Sequence, residues 1–192
     1  MKDLKVFGLA AMAAMALMAF AAGSASATAI YSGSTKLGSG SAGDFSIPSG
    51  KSVVLVNTTS EELDKCSTST VKGKLSSAAT GSIEALTWEN CTFPTKTITL
   101  GKLEVTGGTG TVGTVKADAT IEVTMNTVFF GSCIYGVTAG ETVGTVSGNP
   151  ATFTASAVVE KFSGSALACP STGKLTGTYN STEPANAHVE TE

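Results

Sequence analysis

The stretch KADATIEVTMNTVFF, Lys116 to Phe130, carries the clearest structural signal in the chain. Apolar and polar side chains alternate along it with a period of two, which places them on opposite faces of an extended strand. A strand with one buried and one solvated face is typical of an antiparallel sheet. The apolar face carries Ala117, Ala119, Ile121, Val123 and Met125, and the polar face carries Asp118, Thr120, Glu122, Thr124 and Asn126.

Similar short segments recur along the rest of the chain. The segment ATFTASAVVEKF, 151–162, alternates in the same way, and SVVLVN, 52–57, has the continuous apolar run of a more fully buried strand. No part of the chain after residue 27 sustains a helical period, and glycine-rich turns separate the strand candidates. This pattern predicts an all-β fold, which we expect to be a single antiparallel β-sandwich with Greek-key links as one option. It leaves open whether the sheets close on themselves.

One hairpin is predicted in detail from TITLGKLEV, 97–105. Gly101-Lys102 has the composition of a two-residue type II′ turn. In that register Leu100 would lie opposite Leu103, so that apolar pairs share one side of the sheet. A bulge at the glycine would remove this pairing.

The first 27 residues have the layout of a secretory signal peptide. Lys2 and Lys5 precede an apolar run, and small residues at 25–27 form a cleavage site. An uncleaved membrane anchor is disfavoured because the run is short and rich in alanine. We expect cleavage after Ala27, which leaves a single secreted β domain over residues 28–192, in the medium or at the cell surface. Within it, the Gly/Ser-rich segment 33–46 is expected to be either a mobile arm or a long first loop.

The charge of the chain argues against two classes of partner. The formal net charge is −3 and the sequence contains no arginine. Removal of the leader takes the charge from −3 to −4, because Lys2, Lys5 and Asp3 leave together. Arginine is the side chain best suited to phosphate and guanine. We therefore expect no binding to nucleic acid and, after cleavage, none to membranes.

Four cysteines follow the leader, and an even number in an exported chain predicts disulfides. Three pairings are possible. We favour Cys66–Cys91 with Cys133–Cys169, because each pair joins near neighbours in sequence. Bridges that close loops of these lengths contribute about 3–4 kcal/mol each. The close cysteine pairs of zinc sites do not occur, and we expect neither a metal nor another cofactor.

Aromatic residues are few, and they supply the candidate ligand contacts. Trp88, the single tryptophan, is interpreted first as a core residue beside a disulfide and second as a stacking platform for a sugar. Tyr31, Tyr135 and Tyr179 are open to the same two interpretations. If the protein has a binding face, we expect Trp88, Tyr135 and Tyr179 to contribute to it.

The sequence contains no credible catalytic set. A triad or a cysteine nucleophile would have to use His188, the only histidine, which we expect to be a solvated residue of the polar tail. The acidic cluster at 61–64 lacks the spacing of a calcium loop. A glycosidase would need two carboxylates facing each other across a cleft, whereas glutamates on strands usually face solvent. The glutamates available for such a pair are Glu84, Glu89, Glu104, Glu122, Glu141 and Glu160.

Four segments resemble a group of uncharacterised exported proteins of high-GC Gram-positive bacteria, each a β domain with four cysteines. The segments are KCSTSTVKGKL (65–75), NCTF (90–93), CIYG (133–136) and ACPSTGKLTGTY (168–179). The resemblance implies a secreted, disulfide-bearing β domain and no catalytic residues.

Two hypotheses for the function follow. The first is a non-catalytic extracellular protein with a structural, adhesive or ligand-binding role, whose partner is a cell-envelope glycan or a second copy of the chain. In one form of it, the segment after Ala27 adds an edge strand to a neighbouring molecule. The second is a small secreted glycan hydrolase that uses a pair of glutamates.

Overall fold

The computed structural model describes residues 28–76, 79–107, 111–127, 131–167 and 169–191. The secondary-structure elements in these ranges are all β-strands. All strand pairs are antiparallel. The all-β, antiparallel class predicted from the sequence is therefore confirmed. The predicted signal peptide, residues 1–27, lies outside the described residues. Within the part of the chain that is described, no helix has the length and apolar character needed to cross a membrane.

Fifteen strands follow one another along the described chain. The first eight are β1 (Thr28–Ser32), β2 (Thr35–Lys36), β3 (Asp44–Ser46), β4 (Val53–Asn57), β5 (Glu62–Leu75), β6 (Thr80–Cys91), β7 (Thr95–Thr99) and β8 (Lys102–Thr106). The others are β9 (Val112–Ala117), β10 (Ile121–Thr127), β11 (Gly131–Val137), β12 (Thr142–Ser147), β13 (Thr152–Ser163), β14 (Thr172–Glu183) and β15 (Ala187–Thr191).

Eight of these strands form a closed ring. Its order is β14, β4, β5, β6, β8, β9, β12 and β13, and pairing of β13 with β14 completes the circle. Strands β11, β10 and β7 continue from β13, while β3 pairs with both β14 and β5. A separate three-stranded sheet has the order β15, β1, β2. The structure thus settles the question of closure that the strand pattern left open.

One apolar core is enclosed by ring strands together with β10 and β11. Its buried members come from strands on different sides, among them Leu55 on β4, Val115 on β9, Met125 on β10 and Val159 on β13. Because inward and outward side chains alternate along each strand, the polar residues between them face outward.

The stretch 116–130 contributes to two strands rather than one. β9 ends at Ala117 and β10 begins at Ile121. Within β10 the predicted alternation is present, since Val123 and Met125 face the interior. Residues 128–130 lie outside the described residues.

The predicted hairpin centred on Gly101 is wrong. β7 pairs with β10, whereas β8 pairs with β6 and β9, so Leu103 lies opposite Ala117 and not opposite Leu100. Gly101 serves a close approach between segments: a Cβ at this position would lie 2.5 Å from Cγ1 of Ile121. A glycine needed for close packing has the same sequence signature as a glycine needed for a tight turn.

The two ends of the described chain are paired with each other. β1 runs antiparallel to β15, with Ile30 opposite Val189. The segment that follows Ala27 is therefore paired within its own chain.

Segment 33–46 is a loop that carries β2 and β3. The amide of Gly40 donates a hydrogen bond to the carbonyl of Leu75, and the amide of Gly43 donates to the carbonyl of Gly73. Both acceptors belong to β5. These hydrogen bonds hold part of the segment against β5.

Candidate functional site

Both disulfides favoured by the sequence are present. Cys66 of β5 is bonded to Cys91 of β6, directly opposite it in the ladder. Cys133 of β11 is bonded to Cys169, three residues before β14. No described cysteine is free. The four sulfurs therefore cross-brace the strands, and none is available as a thiolate nucleophile.

A buried carboxylate adjoins the first disulfide. Asp64 accepts hydrogen bonds from the backbone amide of Phe93 at 3.0 Å and from the hydroxyl of Thr95 at 2.6 Å. Asp64, Cys66 and Cys91 are close enough together to hold a metal ion, but the two sulfurs are bonded to each other and cannot act as thiolate ligands. Asp64 thus ties β5 to the chain around the start of β7.

The prediction that His188 is a solvated tail residue is wrong. His188 lies on β15 and is only 6% exposed. Its ring stacks on Tyr31, which lies opposite it on β1, with 5.7 Å between the ring centroids. Its Nε2 atom lies 3.1 Å from a carboxylate oxygen of Glu190. The strand pairing of the two chain ends buries this residue, and sequence periodicity gives no sign of such a long-range contact.

Three aromatic residues converge on a cavity that ring strands enclose together with β10 and β11. Trp88 of β6, Tyr135 of β11 and Tyr179 of β14 all line a cavity of about 130 Å³. They are the three residues that the sequence offers as ligand contacts, and distant parts of the chain bring them together. Other lining residues include Val53, Val71, Leu86, Val123, Met125 and Ala157.

The polar ends of both tyrosines have partners in the protein. The hydroxyl of Tyr179 lies 3.1 Å from the hydroxyl of Ser69, which is fully buried. The hydroxyl of Tyr135 donates to the carbonyl of Pro170 at 3.1 Å. Burial raises the pKa of Tyr179 to about 12, although the Ser69 hydrogen bond acts in the opposite direction. Burial also raises the pKa of Tyr135. Both phenols are therefore neutral near pH 7, and the rings offer apolar surface to the cavity.

Trp88 also takes part in a bridge between β6 and β7. In the described residues, β7 ends its row of strands and has no backbone pairing with β6. The hydroxyl of Thr97 accepts from the indole Nε1–H of Trp88 at 2.9 Å and donates to the carbonyl of Leu86 at 2.7 Å. Side-chain hydrogen bonds thus replace a strand ladder at this β6–β7 seam.

Small residues on β13 contribute to the open volume of the cavity. Ala155 and Ala157 are buried and face it. The alternating segment 151–162 predicts their inward direction. The signal that was missed is the recurrence of alanine at inward positions, where a larger side chain would fill the core.

Unpaired polar groups are scarce in the interior. Within the described ranges, the hydroxyl of Thr28 is the one buried side-chain polar atom without a hydrogen-bond partner. Thr28 lies on β1 and is not part of the cavity wall. The cavity therefore presents apolar surface and polar groups that are already satisfied.

Two glutamates flank a glycine on the outer face of the β10–β11–β13 region. Glu122 of β10 and Glu160 of β13 lie opposite Gly136 of β11, one on each side. Two strand spacings, about 10 Å, separate their Cα atoms. The ring of Phe162 packs over the glycine, since a Cβ there would lie 2.6 Å from Cε2 of Phe162. Glu160 is exposed to solvent, while Glu122 accepts a hydrogen bond from the hydroxyl of Thr99.

The other candidate glutamates lie apart from this pair in the strand order. Glu84 of β6 forms an exposed ion pair with Lys74 at 3.1 Å. Glu89 lies at the exposed end of β6, and Glu104 lies on β8. Glu141 accepts a hydrogen bond from a backbone amide in the turn before β12.

Comparison with known proteins adds no relative. The chain matches no protein-family model, no curated protein and no solved structure. The cavity and the outer glutamate pair are therefore the features from which a function can be argued.

Proposed function

We propose that the protein is a non-catalytic, exported binding protein that holds a small, uncharged apolar molecule in the cavity enclosed by its β-strands. The observation that carries this proposal is the cavity of about 130 Å³ at which Trp88, Tyr135 and Tyr179 meet. Rings of eight strands are wide enough either to be filled by side chains or to hold one small ligand. The open volume between the ring strands and β10–β11 favours the second alternative.

The size of the cavity supports a ligand. Protein interiors are close-packed, and voids larger than a water molecule are few. At about 24 cal/mol per Å³, leaving 130 Å³ empty costs about 3 kcal/mol. A ligand that fills the space recovers much of this free energy. An engineered apolar cavity of similar size, about 150 Å³, stays dry and binds benzene or xenon.

The chemistry of the wall selects the class of ligand. The hydroxyls of Tyr179 and Tyr135 are engaged with Ser69 and Pro170, and Asp64 is engaged with Phe93 and Thr95. A ligand hydroxyl or carboxylate would lose its hydrogen bonds to water and meet only groups that already have partners in the protein, which is unfavourable. The cavity is therefore suited to hydrocarbon-like molecules of about the size of benzene.

Two features support export of this binding protein to the medium or the cell surface. Residues 1–27 have the sequence layout of a secretory leader. Two disulfides brace the fold, and disulfides persist in oxidising compartments. A secreted carrier of this kind needs no catalytic residue, which agrees with the engagement of all four cysteines in disulfides.

Titration of the exported, oxidised protein with benzene tests the proposal. At a benzene concentration one hundred times the Kd, ligand binding should stabilise the fold by about 2.7 kcal/mol. Ala157→Val places two extra carbon atoms at the cavity wall and should weaken benzene binding at least tenfold. Ala117→Val is the matched control, because Ala117 is equally buried but lies outside the cavity wall. Absence of binding to the unmodified protein, or equal loss in both variants, would contradict the proposal.

A second candidate function, glycan hydrolysis, is favoured by one specific observation. Glu122 and Glu160 flank Gly136 beside the ring of Phe162, and carboxyl groups about 6.5–9.5 Å apart are typical of inverting glycosidases. We prefer the binding function because this pair lies on an outer face, where Glu160 is exposed to solvent.

Release of reducing ends from a panel of soluble glycans tests the hydrolase hypothesis. Under that hypothesis Glu160→Gln abolishes the activity, whereas Glu84→Gln, a change on a different strand, leaves it intact. Activity that depends on Glu160 would replace our proposal with the hydrolase.

A further inference from the structure

A second apolar cavity lies beside the first. Its volume is about 110 Å³. Ile30 of β1 and Val189 of β15 line it, so the small three-stranded sheet forms part of its wall. Phe45 of β3 and Val146 of β12 contribute other parts of the wall.

The two cavities share part of their walls. Val71, Ile83, Leu103 and Phe153 line both of them. They are thus separated by a partition of side chains and not by a layer of backbone. Side chains in a core can change rotamer, while a strand ladder can open only by breaking several hydrogen bonds.

An aromatic row runs from one cavity to the other. Tyr179 lines the first cavity, Phe45 lines the second, and Phe153 lies between them and lines both. The ring centroid of Phe153 is 5.7 Å from that of Tyr179 and 6.4 Å from that of Phe45. Gly144 leaves room for the Phe153 ring, since a Cβ at this position would lie 2.9 Å from its Cε2 atom. Phe153 is therefore the central side chain of the partition.

Two polar residues at the second cavity, Lys74 and Ser181, have partners in the protein, and a third, Glu183, is exposed to solvent. Lys74 is paired with Glu84 at 3.1 Å. The hydroxyl of Ser181 donates to the carbonyl of Pro184 at 2.7 Å. The rest of the wall is mainly apolar, with Leu37, Leu75 and Val105 among its residues, so the second cavity suits the same apolar chemistry as the first.

We propose that the two cavities are chambers of one elongated site, and that the ligand is a linear hydrocarbon chain that crosses the Phe153 partition when its ring changes rotamer. This inference rests on the proposed binding function and specifies its ligand. A chain that reaches both chambers removes more apolar surface from water than a compact ligand confined to one. Each added methylene that becomes buried should raise the affinity about fourfold.

Binding of the linear alkanes from pentane to decane, measured by calorimetry beside benzene, tests the inference. In the unmodified protein the roughly fourfold gain per methylene should continue beyond the length that fills one chamber. Ala151→Val narrows the second chamber only, because Ala151 lines that cavity and not the first. In this variant the affinity should no longer increase for the longer alkanes, while the affinity for benzene should stay the same.

A second variant and a comparison of ligands separate the possible failures. Ala187→Val narrows the same chamber from β15 and should reproduce the effect of Ala151→Val. The inference is overturned if benzene binds but the alkane length at which affinity stops rising is the same in the unmodified protein and in both variants. The two chambers would then be separate. If benzene itself does not bind, the proposed function fails.

Discussion

Filling the larger cavity should stabilise the protein, and Ala157→Val is the direct way to do it. Ala157 is 3% exposed and faces the cavity from β13, opposite Leu175 of β14. Replacement of alanine in a close-packed core usually destabilises by about 1–3 kcal/mol, because added carbon atoms force neighbours aside. At Ala157 the added atoms have open volume to occupy, so the sign of the effect should be reversed.

The magnitude follows from the two carbon atoms that the substitution adds. At about 0.8 kcal/mol per buried carbon group, the gain is at most about 1.5 kcal/mol. For a domain of this size, 1 kcal/mol shifts the Tm by about 2–4 °C, so the Tm should rise by about 3–6 °C. Leaving the cavity empty costs about 3 kcal/mol, which is more than the stabilisation expected from the substitution.

Thermal and denaturant unfolding of the oxidised protein measure the effect. Ala117→Val serves as the control, because Ala117 is 1% exposed and lies outside both cavity walls. We expect this control to lose about 1–3 kcal/mol. Equal destabilisation by the two substitutions would show that the space beside Ala157 does not accept a side chain, and the reasoning from cavity volume would be refuted.

Three further changes test other parts of the structure. Thr97→Val leaves the indole N–H of Trp88 without its acceptor. We therefore expect the free energy of unfolding to fall by about 1–3 kcal/mol and acrylamide to quench tryptophan fluorescence more strongly. If neither quantity changes, this hydrogen bond does not hold the β6–β7 seam. Burial raises the pKa of Tyr179 to about 12, against about 10 in the unfolded chain. The contribution of this group to the free energy of unfolding is therefore fully present below about pH 10 and is lost as the pH rises towards 12. Tyr179→Phe should flatten that alkaline decline, and an identical pH profile for the variant would contradict the assignment. Joint replacement of Cys133 and Cys169 by serine should lower the free energy of unfolding by about 3–4 kcal/mol relative to the oxidised parent, and a loss below about 1 kcal/mol would exclude a major bracing role.

The class of the fold was predictable because it depends on local periodicity. Val123 and Met125 face the interior as their alternation predicts, and Ala155 and Ala157 do the same on β13. The spacing of the four cysteines after an export-type leader favours the observed disulfide pairs, and the ladder places Cys66 directly opposite Cys91. These features require only neighbouring residues or nearby strands.

Features that depend on distant contacts were not predictable from the same patterns. Gly101 was interpreted as a turn residue, whereas the approach of Ile121 is what requires a glycine there. His188 was expected in solvent, whereas pairing of β15 with β1 buries it against Tyr31.

The candidate site also combines features that follow from single residues with features that depend on distant contacts. The identity of Trp88, Tyr135 and Tyr179 as ligand contacts could be suggested from residue type alone. Their meeting at one cavity depends on the order of β6, β11 and β14 around the core, which no single segment encodes. The volume of the cavity depends on how all of the inward side chains pack together.

The most direct test of the account is a crystal structure of the oxidised protein under xenon pressure. Xenon occupies apolar cavities without needing a hydrogen-bond partner, and its anomalous scattering locates it without ambiguity. We predict a xenon site bounded by Trp88, Tyr135 and Tyr179. A cavity closed by repacked side chains, or one filled by ordered water with no xenon, would contradict the central claim that this interior binds apolar molecules.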